Sequence, residues 1–221
     1  MKKNCLLCFL LFFSCHSALA GESLDSLLNV LDKTIKEADT YVQIKENKLH
    51  ELKKEARKTP PFSVERYNLN NDIYLEYKAY SSDSALHYLN ENMLLARQLN
   101  DKERELKIQL ELSYLLSSIG MYMEAADILN SIDRQTLPSS LLGHYYTCYE
   151  HVYFEAGAAQ PRYKMFASRY VKLSHAYRDS MQITLDPSSA TYLWLRETQL
   201  REAGKYDEAL EFSDRRLAES S

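Results

Sequence analysis

The chain has 221 residues, 45% hydrophobic and 26% charged, the balance of an ordinary folded protein. Five glycines and five prolines are too few for a β-sandwich, which needs a turn signal about every 8–12 residues. A formal net charge of −4 without a basic stretch leaves nucleic acid no electrostatic footprint.

Residues 1–20 read as a signal peptide. Lys2 and Lys3 are the charged start, Cys5 through Phe13 is an apolar run too short for a stable membrane anchor, and Ala18-Leu19-Ala20 supplies small residues before a cleavage point at Gly21. This places the mature protein in the periplasm or cell envelope. An alternative reading takes Phe13-Ser14-Cys15 as a loose lipobox, with a lipid tether on Cys15. Cys148 is the one thiol outside the leader, so the mature fold is held by its core and not by an internal disulfide. No later segment is apolar enough over a sufficient length to cross a membrane.

Residues 21–61 are predicted as an N-terminal helical hairpin. Leu24, Leu27, Leu28, Leu31 and Ile35 fall on one helix face behind Ser23 as N-cap. A second helix at about 40–58 places Tyr41, Val42, Leu49, Leu52 and Ala56 on one side, and Thr59-Pro60-Pro61 stops it. Its Lys/Glu-rich residues 45–55 read as a solvated face; taken as a coiled-coil partner surface, that stretch spans too few heptads. Helices are then expected at about 63–80 and 83–99. Asn100 is expected as the cap of the next, with Glu103 closing a capping box, and that helix ends at Gly120. Further helices are expected at about 121–132, 139–156, 161–183, 188–203 and 206–219. Pro138 and Pro187 stand at the first helical position of two of them.

An internal repeat runs through residues 62–221. Ser82-Asp83-Ser84-Ala85-Leu86, Gly120-Met121-Tyr122-Met123-Glu124-Ala125-Ala126 and Gly204-Lys205-Tyr206-Asp207-Glu208-Ala209-Leu210 share one pattern. Ala85 and Ala125 are 40 residues apart, and Ala125 and Ala209 are 84 apart, two steps of 42. The intervening copy is degenerate, with its turn near Gly157. In this reading the glycines leave a helix with positive φ, Tyr122 and Tyr206 cover the turn, and Ala85, Ala125 and Ala209 sit where paired helices come closest.

The Gly-x-Tyr-x-x-Ala-Leu pattern resembles the tetratricopeptide repeat, most closely at Tyr206–Leu210. The resemblance implies an all-α fold, a TPR-like α-solenoid of stacked antiparallel helical hairpins. Together with the leader, it is also similar to a narrower group of bacterial envelope proteins, in which such repeats precede a membrane-spanning helix and a cytoplasmic helical domain of unknown function. No such second half follows here, which makes the chain a truncated or split member under that reading.

His144, Cys148 and His151 share a helix face at i, i+4 and i+7, a spacing that could supply three zinc ligands. A small buried Cys flanked by histidines explains the same pattern, no fourth ligand is identifiable, and no metal site is assigned. Tyr145, Tyr149, Tyr153, Tyr163 and Tyr170 either pack hairpin on hairpin or line a groove for a bound peptide. The sequence carries no phosphate loop, nucleophile elbow or zinc-protease motif. The expectation is therefore a scaffold for a protein or peptide partner, with no catalytic residue and no cofactor. The alternative is the sensor half of a membrane-spanning regulator.

Overall fold

The computed structural model describes residues 24–160 and 162–219. The expected leader, with Cys15, lies outside the described residues. The chain divides into two compact units, Met1–Leu52 and Lys53–Ser221. Every regular element among the described residues is helical, and no helix there is long and apolar enough to cross a membrane.

Residues 24–36 are helical, Glu37 forms a turn, and α1 (Ala38–Lys58), whose last six residues belong to the second unit, follows at once. Glu37 N–H donates to Lys33 O at 3.0 Å and Tyr41 N–H to Glu37 O at 3.2 Å. The ladder is interrupted there: Thr40 N–H donates to Glu37 O at 2.9 Å, so one helix ends and the next begins at this residue. The hairpin expected over 21–61 would have to turn at this one residue, where helix–helix connections have about 2–5. Leu24, Leu27, Leu28, Leu31, Ile35, Tyr41 and Val42 are all exposed, whereas Leu49 and Ala56 are buried.

The second unit is a run of four hairpins. They are α2 (Val64–Tyr77) with α3 (Ser82–Gln98), α4 (Lys102–Ser118) with α5 (Tyr122–Ser131), α6 (Ser139–Ala158) with α7 (Lys164–Thr184), and α8 (Ala190–Glu202) with α9 (Tyr206–Glu219). This is the all-α, TPR-like solenoid that the repeat implied. Local chemistry sets the helix starts. Ser63 Oγ accepts from Arg66 N–H at 3.0 Å, Asp101 Oδ1 from Arg104 N–H at 3.0 Å, and Ser189 Oγ from Tyr192 N–H at 3.2 Å. Each satisfies a donor that the first helical turn leaves orphaned.

Asn100 does not cap α4, as the sequence had implied. It adopts φ 53°, and Asp101 N–H donates back to Ala96 O at 2.9 Å, so Asn100 ends α3 and the cap passes to Asp101. Gly120 (φ 88°) and Gly204 (φ 75°) end α4 and α8 in the same way, with Met121 N–H on Leu116 O and Lys205 N–H on Leu200 O, both at 2.9 Å. A left-handed residue after the helix lets its successor reach an orphan carbonyl, and glycine does so without a Cβ penalty. Pro138 occupies the N-cap of α6 with ψ 142°, and Pro187 precedes the Ser189 cap, so neither is the first helical residue. The helix expected from residue 161 starts at Lys164, behind Tyr163.

One core runs through these hairpins. Leu110 and Leu116 of α4, Leu129 of α5, Tyr145, Cys148 and Val152 of α6, Met181 of α7 and Leu195 of α8 are buried together, with Leu112 packed against them. A fully buried Leu stabilises by about 1.5–3 kcal/mol. Ala85 and Ala125 are fully buried and Ala209 is buried, each on the second helix of its hairpin. Tyr122 is half-buried, and Tyr206 is 65% exposed. Gly143 marks a close approach inside the third hairpin. A Cβ there would lie 2.7 Å from Leu185 Cδ2 and 3.3 Å from Thr184 O.

Candidate functional site: a cleft on the first helices of the hairpins

The first helices of the hairpins do not stack evenly. α4 packs on α6, but α6 makes no backbone approach to α8; α8 adjoins α7 instead. The gap coincides with the long hairpin, whose helices have 20 and 21 residues against 10 in α5. It leaves an open cleft of about 1040 Å³, lined by α4, α6, α8 and α9 together with Lys78.

α6 supplies most of one wall through His144, Thr147, Glu150, His151, Phe154 and Glu155. Their spacing puts them on one helix face. Ala190, Thr191 and Trp194 of α8, with Arg216 and Leu217 of α9, form the opposite wall. Trp194 is the single tryptophan of the chain.

Glu111 is the polar centre at one end. Tyr74 Oη donates to Glu111 Oε2 at 2.6 Å, Lys78 Nζ does so at 3.1 Å, and His144 Nε2 lies 3.7 Å from Oε1. Burial disfavours this carboxylate, but Lys78, His144 and the Tyr74 hydroxyl together outweigh that and hold it below the usual carboxylate range. Lys78 also lies over the Tyr114 ring at 4.7 Å, and Tyr114 stacks on His151 at 4.0 Å and 10°. The far side of His151 is tied by a 2.9 Å hydrogen bond between Nε2 and Ser118 Oγ. Aromatic rings and charges thus alternate along the wall, an arrangement that can hold a segment with both apolar and polar side chains.

A buried ion pair closes the floor. Arg178 Nε of α7 donates to Glu150 Oε1 of α6 at 2.8 Å, and its Nη1 to Glu202 Oε1 of α8 at 2.8 Å. Ser174 Oγ donates to Glu150 Oε1 at 2.9 Å. Arg178 is therefore the residue that bridges the two walls. Burial works against its charge, and Glu202 and Glu150 more than restore it, so its pKa is raised.

Burial first, then Lys78, pushes His151 down to about 4. His144 is also lowered by burial, against the opposing pull of Glu111. A histidine whose folded pKa is depressed binds fewer protons than in the unfolded chain. Its stability contribution is complete above the ordinary value of about 6.5 and is lost as pH falls from there toward 4. The Glu111 shift acts in the same acid direction. His151→Phe keeps a ring on Tyr114 and removes the titration. Its thermal midpoint should fall less steeply than the parent's between pH 6.5 and 4, and the difference should reach on the order of 2 kcal/mol; parallel curves would show that His151 does not titrate as described.

The face that His144, Cys148 and His151 share does not gather ligands. Cys148 is fully buried, its thiol is raised well above its ordinary range by burial, and Sγ donates to Leu110 O at 3.3 Å. His144 turns to Glu111 and His151 to Tyr114. Among the described residues no group of three His, Cys, Asp or Glu is placed to hold a metal ion.

The tyrosines weighed as packing or groove residues do not line the cleft. Tyr145 and Tyr149 are buried, the packing alternative of the sequence reading. Tyr149 stacks on Tyr177 at 4.7 Å and 5°, and Tyr153 stacks on Tyr177 at 5.7 Å and on Tyr170 at 6.1 Å. This ladder holds α6 against α7, and burial within it pushes Tyr177 up to about 12. Tyr163 is 65% exposed at the head of α7, and neither it nor the ladder lines the cleft. The opposite face of α6 lines it instead. Phe154, Trp194 and the Glu111–Lys78 pair escaped the sequence reading because they lie on four hairpins and share no motif. The local signal on α6 was the shared face of His144 and His151, which the sequence reading weighed only as metal ligands.

A family model described as the SusR N-terminal TPR domain, TPR_SusR, matches residues 35–221. It reaches further toward the N-terminus than the repeats legible in the sequence, which began near residue 62. No curated protein and no solved structure matches the chain.

Proposed function

The chain belongs to the SusR N-terminal TPR domain family, and on that premise we propose that it is an exported scaffold that binds an extended segment of a protein partner in the cell envelope. The family makes it a TPR-type interaction scaffold; stacked hairpins of this kind present long surfaces on one side of the array. The cleft between α6 and α8 is the observation that carries the reading. Its size suits a peptide stretch, and Phe154, 47% exposed, and Trp194 offer apolar anchors beside Lys78, Glu155 and Arg216. Export rests on the leader pattern of Lys2-Lys3, the Cys5–Phe13 run and Ala18-Leu19-Ala20. We assign no catalytic step and no cofactor to the cleft.

A photo-crosslinking residue placed at Phe154 should trap a partner in the native cells that the same residue at exposed Met123, on α5, does not trap. Peptides from the trapped protein should change the emission of Trp194, and Phe154→Ala should weaken their binding about tenfold, the effect of losing one anchor worth about 1.4 kcal/mol. Identical trapping from both positions, or binding indifferent to Phe154→Ala, would count against the cleft.

A second reading follows from the description of the matching family as an N-terminal domain. Under it the same cleft senses an envelope ligand for a membrane-spanning regulator. A reading frame that continues past Ser221 into an apolar stretch of about 20 residues favours it; a stop codon there disfavours it.

A further inference from the structure

The acidic balance of the whole chain hides a local exception at the tip of the third hairpin. Between Glu155 and Asp179 the sequence has no acidic residue, and Arg162, Lys164, Arg169 and Lys172 are all exposed there. None of these four pairs with a carboxylate among the described residues. Apolar side chains stand among them: Tyr163, Met165, Phe166 and Val171 are 45–73% exposed. Along α7, Ser174, Arg178 and Met181 are buried at i, i+4 and i+7. Met165, Arg169 and Lys172 repeat that spacing half a turn away, so they face outward. Glu155, which bounds the run on α6, lines the cleft instead.

The hairpin carries this surface beyond its neighbours. His151 of α6 bonds Ser118, the last residue of α4, and Arg178 of α7 bonds Glu202, the last residue of α8. Residues 152–158 of α6 and the first turns of α7 stand past those ends, an overhang of about 10 Å at 1.5 Å per residue. We propose that this tip docks on a membrane surface rich in anionic lipid. Arg162, Lys164, Arg169 and Lys172 meet headgroup phosphates, and Tyr163, Met165 and Phe166 enter the interface between headgroups and chains. The docking is independent of what fills the cleft.

Charge and apolar exposure together select the occupant. Basic side chains are drawn to the negative potential of an anionic leaflet. Tyrosine settles at headgroup level, and lysine and arginine keep their charged heads there while their stems lie along apolar surface. Single-stranded nucleic acid asks for a basic groove with aromatic rings along it, and a projecting tip is not a groove. A folded acidic partner asks for an apolar centre with a polar rim and a complementary shape. Here single apolar side chains alternate with cations, which a fluid surface accommodates without a matching shape.

The test uses the whole chain with Cys5, Cys8 and Cys15 replaced by Ser, so that buried Cys148 is the only native thiol. A polarity-sensitive dye is attached through Ala159→Cys, at the tip, or through Gln135→Cys, at an exposed turn on the other end of the hairpins. The apolar leader's own affinity for lipid is common to every arm. Vesicles of mixed phosphatidylglycerol and phosphatidylcholine should shift the tip dye to the blue and leave the Gln135 dye unchanged; phosphatidylcholine alone should shift neither. Arg169→Gln with Lys172→Gln should raise the lipid concentration at half response about thirtyfold. It should keep the parent's thermal midpoint, because both sites are exposed. Equal shifts at both dye positions, an equal shift on neutral lipid, or a parent-like response of the double variant overturns the proposal. So does a tip dye that responds to single-stranded DNA or polyglutamate and not to the anionic vesicles.

Discussion

Arg178→Met should destabilise the second unit by about 3–5 kcal/mol, because it strands the Glu150 carboxylate in the interior. Arg178 and Glu150 are both buried, with side-chain exposures of 4% and 3%. Among the described residues, Ser174 Oγ is the one other group that hydrogen-bonds Glu150, and a neutral hydroxyl cannot replace a guanidinium. For a chain of this length the loss corresponds to a fall in thermal midpoint of about 10 °C. Glu150→Leu combined with Arg178→Met should recover most of it, since replacing both members of a buried pair with apolar residues is often nearly neutral. Thermal melts of the single and double variants decide the matter. Equal losses in both would show that packing around Arg178, and not its charge, holds α6, α7 and α8 together.

Ala125→Arg should be nearly as damaging. Ala125 is fully buried on α5, and its carbonyl accepts from Ser113 Oγ of α4 at 3.0 Å, so the two helices are in direct contact there. An arginine needs several methylenes of room that a close-packed contact does not have. Overpacking costs about 1–3 kcal/mol, and burial of an unpaired charge adds to it. Met123→Arg, two residues earlier at a site 78% exposed, should leave the midpoint within about 0.5 kcal/mol of the parent. A parent-like melt for Ala125→Arg would mean that the repeat register is misplaced.

The hairpins were legible because their punctuation is chemical. Gly120 and Gly204 announce left-handed turns, and Ala125 and Ala209 report close helix contacts, so periodicity and turn residues agree. α9 begins and ends where the sequence places it. Asn100 shows where legibility fails. Its capping-box context and its tolerance of positive φ point to different roles, and only the path of the chain chose between them. The break at Glu37 was illegible for a related reason: thirty-odd residues of helix-forming sequence with no Gly or Pro carry no turn signal there.

The cleft was least legible, since its walls come from four helices and its existence depends on how far α8 stands from α6. The tyrosines drew attention to the right hairpin and the wrong face of it. Their spacing said that a stripe existed, but aromatic stripes serve both core and surface. The side chains that do face the cleft, His144, His151 and Phe154, carried no pattern beyond sharing one side of α6.

The stand-off between α6 and α8 also has a thermodynamic meaning. Backbone to backbone, among the described residues, the last hairpin meets the rest of the array only through α7, and Arg178 spans the remaining distance. Whatever occupies the cleft touches both sides of that narrow junction. The free energy that docks residues 190–219 and the free energy of occupancy are then linked: an occupant that grips both walls tightens the end of the solenoid, and a change that loosens this end weakens the occupant by the same amount.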